Sequence, residues 1–228
     1  MMAGDLMIPI LYQDRQLAVC LKPPGVLSQE GPGDTLPSLL SRQLGGEIFP
    51  VHRLDRGVGG VMVCARTSRS AAALSSSISQ GAFQKQYLCV VQGRPERETD
   101  QCRDLLLHDR TRNKSFVVTR MRGGVKEARL DYRLLSSSGG LSLLQVRLHT
   151  GRTHQIRVQL SSRGLPLLGD GKYGGGSGQI ALWSAALSFP HPSDSREMAF
   201  HALPQGGVWD PFGETLQRLS PDSFAWSP

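Results

Sequence analysis

The sequence predicts an α+β fold, with a mainly antiparallel mixed sheet flanked by helices and loops. Short apolar stretches with strand-like alternation recur along the chain, whereas helical spacing of apolar residues is confined to a few segments. Two alternating stretches are separated only by residues 136–140, a pattern typical of an antiparallel hairpin. No internal repeat or obvious linker divides the 228 residues, so we expect one domain.

The first predicted elements are two short strands and a helix. Residues 8–12 and 17–21 have strand-like composition and are joined by a polar turn. The motif Lys22-Pro23-Pro24-Gly25 ends the second strand, because proline cannot donate to a β-ladder. Residues 37–44 follow as a short helix with proline in its first turn.

The middle of the chain is predicted to contain two strands around a helix. Residues 61–65 form a compact apolar strand. Ser68 can cap a helix that runs to Ile78. Residues 87–91 form the next strand, and the polar residues 94–109 are expected to form a loop.

The second half supplies the hairpin and a further helix. The hairpin strands are predicted at residues 128–135 and 141–148. Residues 153–161 show helical spacing. Residues 182–189 and 198–203 close the fold as a pair of helices or strands.

Charge and composition limit the classes of function. Lys and Arg total 26 against 19 acidic residues, a net charge of +7 that favours a polyanionic partner. The chain has neither a signal-peptide pattern nor an apolar run of membrane-spanning length, so we expect a cytoplasmic protein. Four cysteines without a CxxC pair indicate buried free thiols in a reducing compartment: Cys20, Cys64, Cys89 and Cys102.

Several familiar site motifs are absent. The glycine-rich segment at residues 169–174 is not a phosphate loop of the Walker type, because Pro166 stands where the first glycine should be. His149 and His154 are five residues apart, which places them on different helix faces, and nothing completes a zinc set. We therefore expect no metal site.

Two segments are dense in polar side chains. In residues 51–60, Asp55 lies between two arginines and is followed by glycines that let backbone approach a ligand. In residues 148–157, polar and basic side chains decorate a predicted helix start, which favours anions. Considered alone, such a basic helix start is more often solvated than part of a site.

Taken in order, these segments resemble the RluA-type family of RNA pseudouridine synthases. Each motif is short, but the ordered set covers nearly the whole chain. The motifs are Lys22-Pro23-Pro24-Gly25, His52-Arg53-Leu54-Asp55, Lys85-Gln86-Tyr87, Gly151-Arg152-Thr153-His154-Gln155-Ile156-Arg157, Leu168-Gly169-Asp170 with Lys172-Tyr173-Gly174, and Leu187-Ser188-Phe189-Pro190-His191-Pro192.

The resemblance implies an isomerase that converts specific uridines of ribosomal or transfer RNA to pseudouridine. It implies a single catalytic domain over residues 1–228, with a central active-site cleft and no cofactor. Asp55 would be the catalytic carboxylate, and Arg157 would pair with it and keep it charged and oriented. Tyr87 would stack on the flipped uracil, and Arg53 would fill the space that the base leaves.

Other side chains are expected around this site. His52, Gln155 and Leu187 would line the pocket or support it, and Leu187 would pack under the target base. His154 would either bond the helix start or contact substrate. Outside the pocket, the basic segment at residues 110–126 is expected to bind RNA phosphates through Arg120 and Arg122, or else to be an exposed basic strand face.

The sequence departs from the family in two places. Val58 and Gly59 stand where members usually have Thr-Ser, so two hydroxyls beside the site are lost. The first strand is expected from about Ile8, which leaves no room for the S4-like domain of many members. We expect a monomer.

Two other functions fit parts of the pattern. A catalytically inactive RNA-binding protein could use the same fold, although Asp55, Tyr87 and Arg157 are all present. A small hydrolase would need Asp170 as a second acid, yet its glycine neighbours are typical of a turn. The sequence identifies neither the target uridine nor the route by which Asp55 acts.

Overall fold

The computed structural model describes residues 6–226, and within them it has an α+β fold. The elements in chain order are β1 (Ile10–Gln13), β2 (Leu17–Lys22), α1 (Leu36–Leu44), β3 (Phe49–Pro50), β4 (Gly59–Ala65), α2 (Ser68–Ser79), β5 (Gln84–Gln92), β6 (Thr99–Asp109), β7 (Lys114–Val118), β8 (Val125–Ser138), β9 (Leu141–Leu148), α3 (Gln155–Ser161), β10 (Leu182–Pro190), β11 (Glu197–His201) and α4 (Gly213–Gln217).

The chain divides into two compact units. The first contains the residues up to Gln84 together with Ser184–Ala202, and the second contains Lys85–Trp183 and the residues from Leu203 onward. The expected α+β class is confirmed, and β1–β2, β2–β4, β5–β9, β8–β9 and the other paired strands whose register is defined run antiparallel. The single domain over residues 1–228 stays a prediction. Residues 1–5, on which the expectation about a signal peptide depends, lie outside the described part.

In the first unit, the core forms because alternate residues of β2 and β4 face the same side. These strands pair from Leu17 opposite Ala65 to Lys22 opposite Gly60. The side chains on the inner face pack against Leu74 of α2 and Phe189 of β10. At Gly60, φ is +120° and a Cβ would lie 2.2 Å from the carbonyl oxygen of Ser184, so only glycine fits.

Most sequence predictions for the first unit are confirmed. Both early strands, the first helix and the apolar strand at residues 61–65 are present with shifts of one or two residues at their ends. The closing pair is a strand pair, β10 with β11. The cap of α2 was predicted one residue late, because the hydroxyl of Thr67 accepts the N–H of Ser70 at 3.1 Å.

In the second unit, the strands lie in the order β5, β9, β8, β6 and β7. The predicted hairpin is confirmed as β8 and β9. The loop predicted at residues 94–109 was wrong, because β6 occupies Thr99–Asp109. Its polar sequence has little strand propensity, and its pairing with β8 on one side and β7 on the other supplies the stability instead.

The cysteine prediction is confirmed within the described residues. All four thiols are free and buried. Burial raises the pKa of the Cys64 thiol to about 12, which keeps it protonated and unreactive. No helix among residues 6–226 has both the length and the apolar character required to cross a bilayer.

Candidate active site

In the first unit, a buried lysine holds the loop that carries Asp55. Lys22 is 0% exposed, and its ammonium donates to the carbonyl oxygens of Pro23 at 2.9 Å, Val26 at 2.7 Å and Arg56 at 3.3 Å. The backbone N–H of Gly25 also donates to the Arg56 carbonyl at 2.8 Å. The Lys22 motif and the Asp55 loop are therefore joined by two of these bonds, both to the Arg56 carbonyl.

The negative charge of Asp55 affects the pKa of Lys22. Burial lowers the pKa of Lys22 to about 8, and the negative charge of Asp55 acts in the opposite direction. Lys22 was expected only as part of a motif that ends a strand. Its signal in the sequence was a charged residue directly after the apolar run of β2.

The backbone around Asp55 is fixed on both sides. The hydroxyl of Ser28 donates to the Leu54 carbonyl at 2.8 Å and accepts the Leu54 N–H at 3.2 Å. The N–H of Val58 donates to the Asp55 carbonyl at 3.0 Å, which closes a tight turn. Asp55 itself is half-buried and Arg53 is exposed. The backbone that carries the carboxylate is therefore held by hydrogen bonds on both sides.

Other residues of the first unit that were expected at the site contact the backbone or the hydrophobic core. Nε2 of His52 accepts the N–H of Val63 at 3.1 Å, and its ring lies 5.4 Å from that of Phe83. Leu187 is 1% exposed and belongs to the core cluster. Val58 is also buried, at 2% exposure, so an apolar side chain fills the place where the family has a hydroxyl.

In the second unit, Arg157 forms a buried ion pair with Asp170. Nε and Nη2 of Arg157 donate to the two carboxylate oxygens of Asp170, each at 2.7 Å. The two side chains are 6% and 1% exposed. Such a bidentate pair fixes the plane of the guanidinium as well as its position. The hydrolase alternative loses support, since both oxygens of its second acid are engaged.

The aromatic ring of Tyr173 packs against the guanidinium of Arg157. The ring centroid lies 5.0 Å from Cζ of Arg157, within cation–π range. The Tyr173 hydroxyl accepts the backbone N–H of Ser115 at 2.7 Å and lies 2.9 Å from Nδ1 of His154. Burial raises the pKa of Tyr173, so the phenol stays neutral. From the sequence, Asp170 and Tyr173 were recognised only as members of a family motif with no assigned role. Asp170 was expected to lie in a turn.

The start of α3 is strained. His154 has the left-handed φ of 56°, which is rare for a residue with a side chain, and the helix begins after it at Gln155 rather than at the predicted Thr153. Gln155 is 3% exposed. Its side-chain oxygen accepts the hydroxyl of Thr150 and the N–H of Arg152 at 2.8 and 3.0 Å. Both residues are thus held as structural parts of the helix start.

The remaining expected residues lie on β5 and in the loop after β7. Tyr87 is 5% exposed and pairs with Val146 across the β5–β9 ladder. Burial lowers the pKa of Lys85, two residues before it. Arg120 and Arg122 lie between β7 and β8 and are exposed. The alternative of a basic strand face fits neither arginine, since β7 ends at Val118.

Known proteins share both the sequence pattern and the fold. The family model described as RNA pseudouridylate synthase matches residues 16–162. A relative from Zymomonas mobilis, named ribosomal large subunit pseudouridine synthase D, is 31% identical over 88% of this chain and 71% of its own length. This chain belongs to the RluA-type family of RNA pseudouridine synthases. This membership supports an isomerase that acts on RNA. The residues that the family model matches include Asp55, Tyr87 and Arg157.

Other RluA-type relatives are longer than this chain. The protein of the same name from Borreliella burgdorferi is 32% identical over 78% of this chain, which spans 58% of that relative. Among solved structures, human RNA pseudouridylate synthase domain containing 4 has a TM-score of 0.75 at 23% identity, covering 92% of this chain and 93% of its own. Human RNA pseudouridylate synthase domain containing 1 has a TM-score of 0.74 at 20% identity, with 95% and 97% covered. These likenesses show the fold.

Proposed function

We propose that this protein isomerises specific uridines of a structured RNA to pseudouridine, with Asp55 as the catalytic carboxylate and Arg157 as its partner. The observation that carries the proposal is the buried Arg157, whose guanidinium is fixed in plane by Asp170 and Tyr173. A guanidinium has donors on two edges. Asp170 engages the Nε edge, and the proposal assigns the other edge to Asp55.

The reaction needs an ionised carboxylate and no redox partner. The N1–C1′ bond of uridine breaks, the uracil turns, and C5 bonds to C1′ while C5 loses a proton and N1 gains one. Asp55 would serve either by adding to the sugar or by stabilising it and removing a proton as the base departs. A charged Arg157 keeps the carboxylate ionised in a site that RNA covers, because an opposite charge at close range favours the ionised form.

The target base must leave its stack to reach this carboxylate, at a cost of a few kcal/mol. We assign Tyr87 to stack on the everted uracil, which is worth about 1–3 kcal/mol, and Arg53 to the space left in the RNA. Arg53 is exposed, as this role requires. The pocket roles of His52, His154, Gln155 and Leu187 remain part of the proposal.

Ribosomal RNA is the favoured substrate. Relatives from Zymomonas mobilis, Borreliella burgdorferi and Xanthomonas campestris all carry the name ribosomal large subunit pseudouridine synthase D. Transfer RNA is the second candidate. The exposed Arg120 and Arg122 are assigned to phosphates, where they position the RNA without reading its sequence.

Tritium release from RNA labelled at C5 of uridine tests the chemistry, because C5 loses its hydrogen in the reaction. We expect Asp55→Asn to lower single-turnover release by more than about 10³-fold and to retain RNA affinity. Arg157→Lys keeps the charge but loses the fork geometry, and should cost about 100-fold. Asp34→Asn, at an exposed ion pair with Arg42, is the control. Release by Asp55→Asn at the wild-type rate would remove Asp55 as the catalytic carboxylate. RNA binding without release by the wild-type protein would favour the inactive RNA-binding alternative.

The same RNA tests the phosphate contacts. Charge reversal in Arg120→Glu with Arg122→Glu should weaken binding and flatten its dependence on salt, since fewer counterions are released. Unchanged affinity and slope would remove these two residues from the interface and leave the Asp55 chemistry unaffected.

A further inference from the structure

A groove runs along the outer edge of β7 in the second unit. β7 pairs with β6 on one side only and ends the strand order of that unit. On its other side lie α3 and the turn at residues 171–174, and the space between them is about 520 Å³. Among the described residues that line it, the charged ones are Lys114 and Lys172. The groove is therefore positive.

The strand edge offers a backbone donor to this groove. The N–H of Ser115 donates to the Tyr173 hydroxyl, so it points away from β6. Backbone groups of a strand repeat their direction every second residue, which turns the N–H of Val117 to the same side. A ligand in the groove would thus find the Val117 N–H on the same strand as Lys114, while the Lys172 ammonium, which donates to the Asn113 carbonyl at 2.8 Å, lies at the start of that strand. Such donors suit an anion.

Apolar surface accompanies these donors. Phe116 lines the groove and is partly exposed. Val117 is 37% exposed and Met121, in the loop after β7, is 58% exposed. Within the described part of the second unit, these two are the large hydrophobic side chains that are exposed. Positive charge beside a partly exposed aromatic ring suits a nucleotide, which presents a phosphate and a flat base together.

We propose that this groove binds an unpaired segment of the RNA substrate, with phosphates at Lys114 and Lys172 and a base against Phe116. The proposal rests on the proposed function, which supplies the RNA. A peptide strand could also pair with the β7 edge. The charge favours RNA, because the cations continue beyond the groove into the exposed Arg110 and Arg120.

Tyr173 both lines the groove and packs against the guanidinium of Arg157. Nζ of Lys114 lies 5.2 Å from the Tyr173 ring centroid, and Cζ of Arg157 lies 5.0 Å from the same centroid. Because Tyr173 lines the groove, RNA bound at Lys114 would lie close to the ring that contacts the guanidinium. This places the second contact beside the catalytic machinery of the same unit.

Fluorescence anisotropy with a fluorescein-labelled oligouridylate tests the groove. All variants are made in the Asp55→Asn background, so that binding is read without turnover. We expect Lys114→Gln with Lys172→Gln to make the negative slope of log affinity against log salt shallower by about 1.4. This is about 0.7 for each phosphate that no longer meets an ammonium group. Phe116→Leu should weaken binding about fivefold or more with little change of slope. The control is Arg94→Gln with Arg97→Gln, whose side chains are 63% and 76% exposed.

Photo-cross-linking identifies the contact directly. An oligonucleotide with 4-thiouridine should cross-link to peptides that contain residues 114–117 or 171–174, as read by mass spectrometry. Wild-type affinity and slope in the double variant, with cross-links elsewhere, would contradict RNA binding in the groove. A peptide strand would then be the remaining candidate ligand for the β7 edge. Tritium release by the enzyme with active Asp55 is scored separately. Release without groove binding refutes only the groove, and groove binding without release refutes only the proposed chemistry.

Discussion

At the scale of single residues, the most constrained group in the described site is the guanidinium of Arg157. Two bonds of 2.7 Å and an aromatic face hold it at 6% exposure. Bringing both charges of such a pair out of water is costly, so the pair itself adds little net stability. Removing one partner is strongly destabilising, because a buried charge is then left uncompensated.

Asp170→Asn should therefore lower the free energy of unfolding by about 3 kcal/mol. The substitution keeps the shape of the side chain and removes its charge beside Arg157. Urea denaturation measures the change. Asp34→Asn, whose partner Arg42 is 54% exposed, should change it by less than about 1 kcal/mol. Equal stability of the two variants would show that Asp170 does not compensate the guanidinium.

Motif patterns identified the residues that we propose to be reactive, but they did not identify the residues that support them. Asp55, Tyr87 and Arg157 stand in recognisable order along the sequence. The part played by Asp170 depends on a partner thirteen residues away that faces it only after the turn and α3 have folded. Lys22 likewise acts on Arg56, 34 residues later. Such non-local contacts leave no periodic signal in the chain.

At the scale of elements, apolar patterning predicted the long strands with buried faces. It missed β6, whose sequence is polar, and the short strands β3 and β7. β4 and β5 are buried almost throughout, so their composition reveals them. β6 buries only Cys102 and Leu106 fully, and its remaining residues are polar or half-exposed. Its conformation comes from neighbouring strands that the local sequence does not contain. The cap of α2 was missed by one residue because Thr67 and Ser68 have similar capping chemistry.

The two capping assignments can be separated by substitution. Thr67→Ala removes the acceptor of the Ser70 N–H and should lower the free energy of unfolding by about 1 kcal/mol. Ser68→Ala should leave it nearly unchanged, because Ser68 is exposed in the first turn. Thermal or urea unfolding of both proteins decides the matter. A larger loss in Ser68→Ala than in Thr67→Ala would reverse the assignment.

At the scale of the whole molecule, the proposal requires both units and the net charge of +7. The first unit carries Asp55 on a loop held by Lys22, and the second carries Tyr87, the oriented Arg157 and the positive groove. Family membership fixes the kind of enzyme, while charge governs only how it meets RNA.

Pseudouridine mapping of total RNA from cells with and without the gene tests the central claim most directly. We expect a small set of pseudouridines, in large-subunit ribosomal RNA, to disappear on deletion and to return with the wild-type gene but not with Asp55→Asn. Loss from transfer RNA instead would change the substrate and keep the enzyme. An unchanged map, or full restoration by Asp55→Asn, would contradict catalysis by this carboxylate.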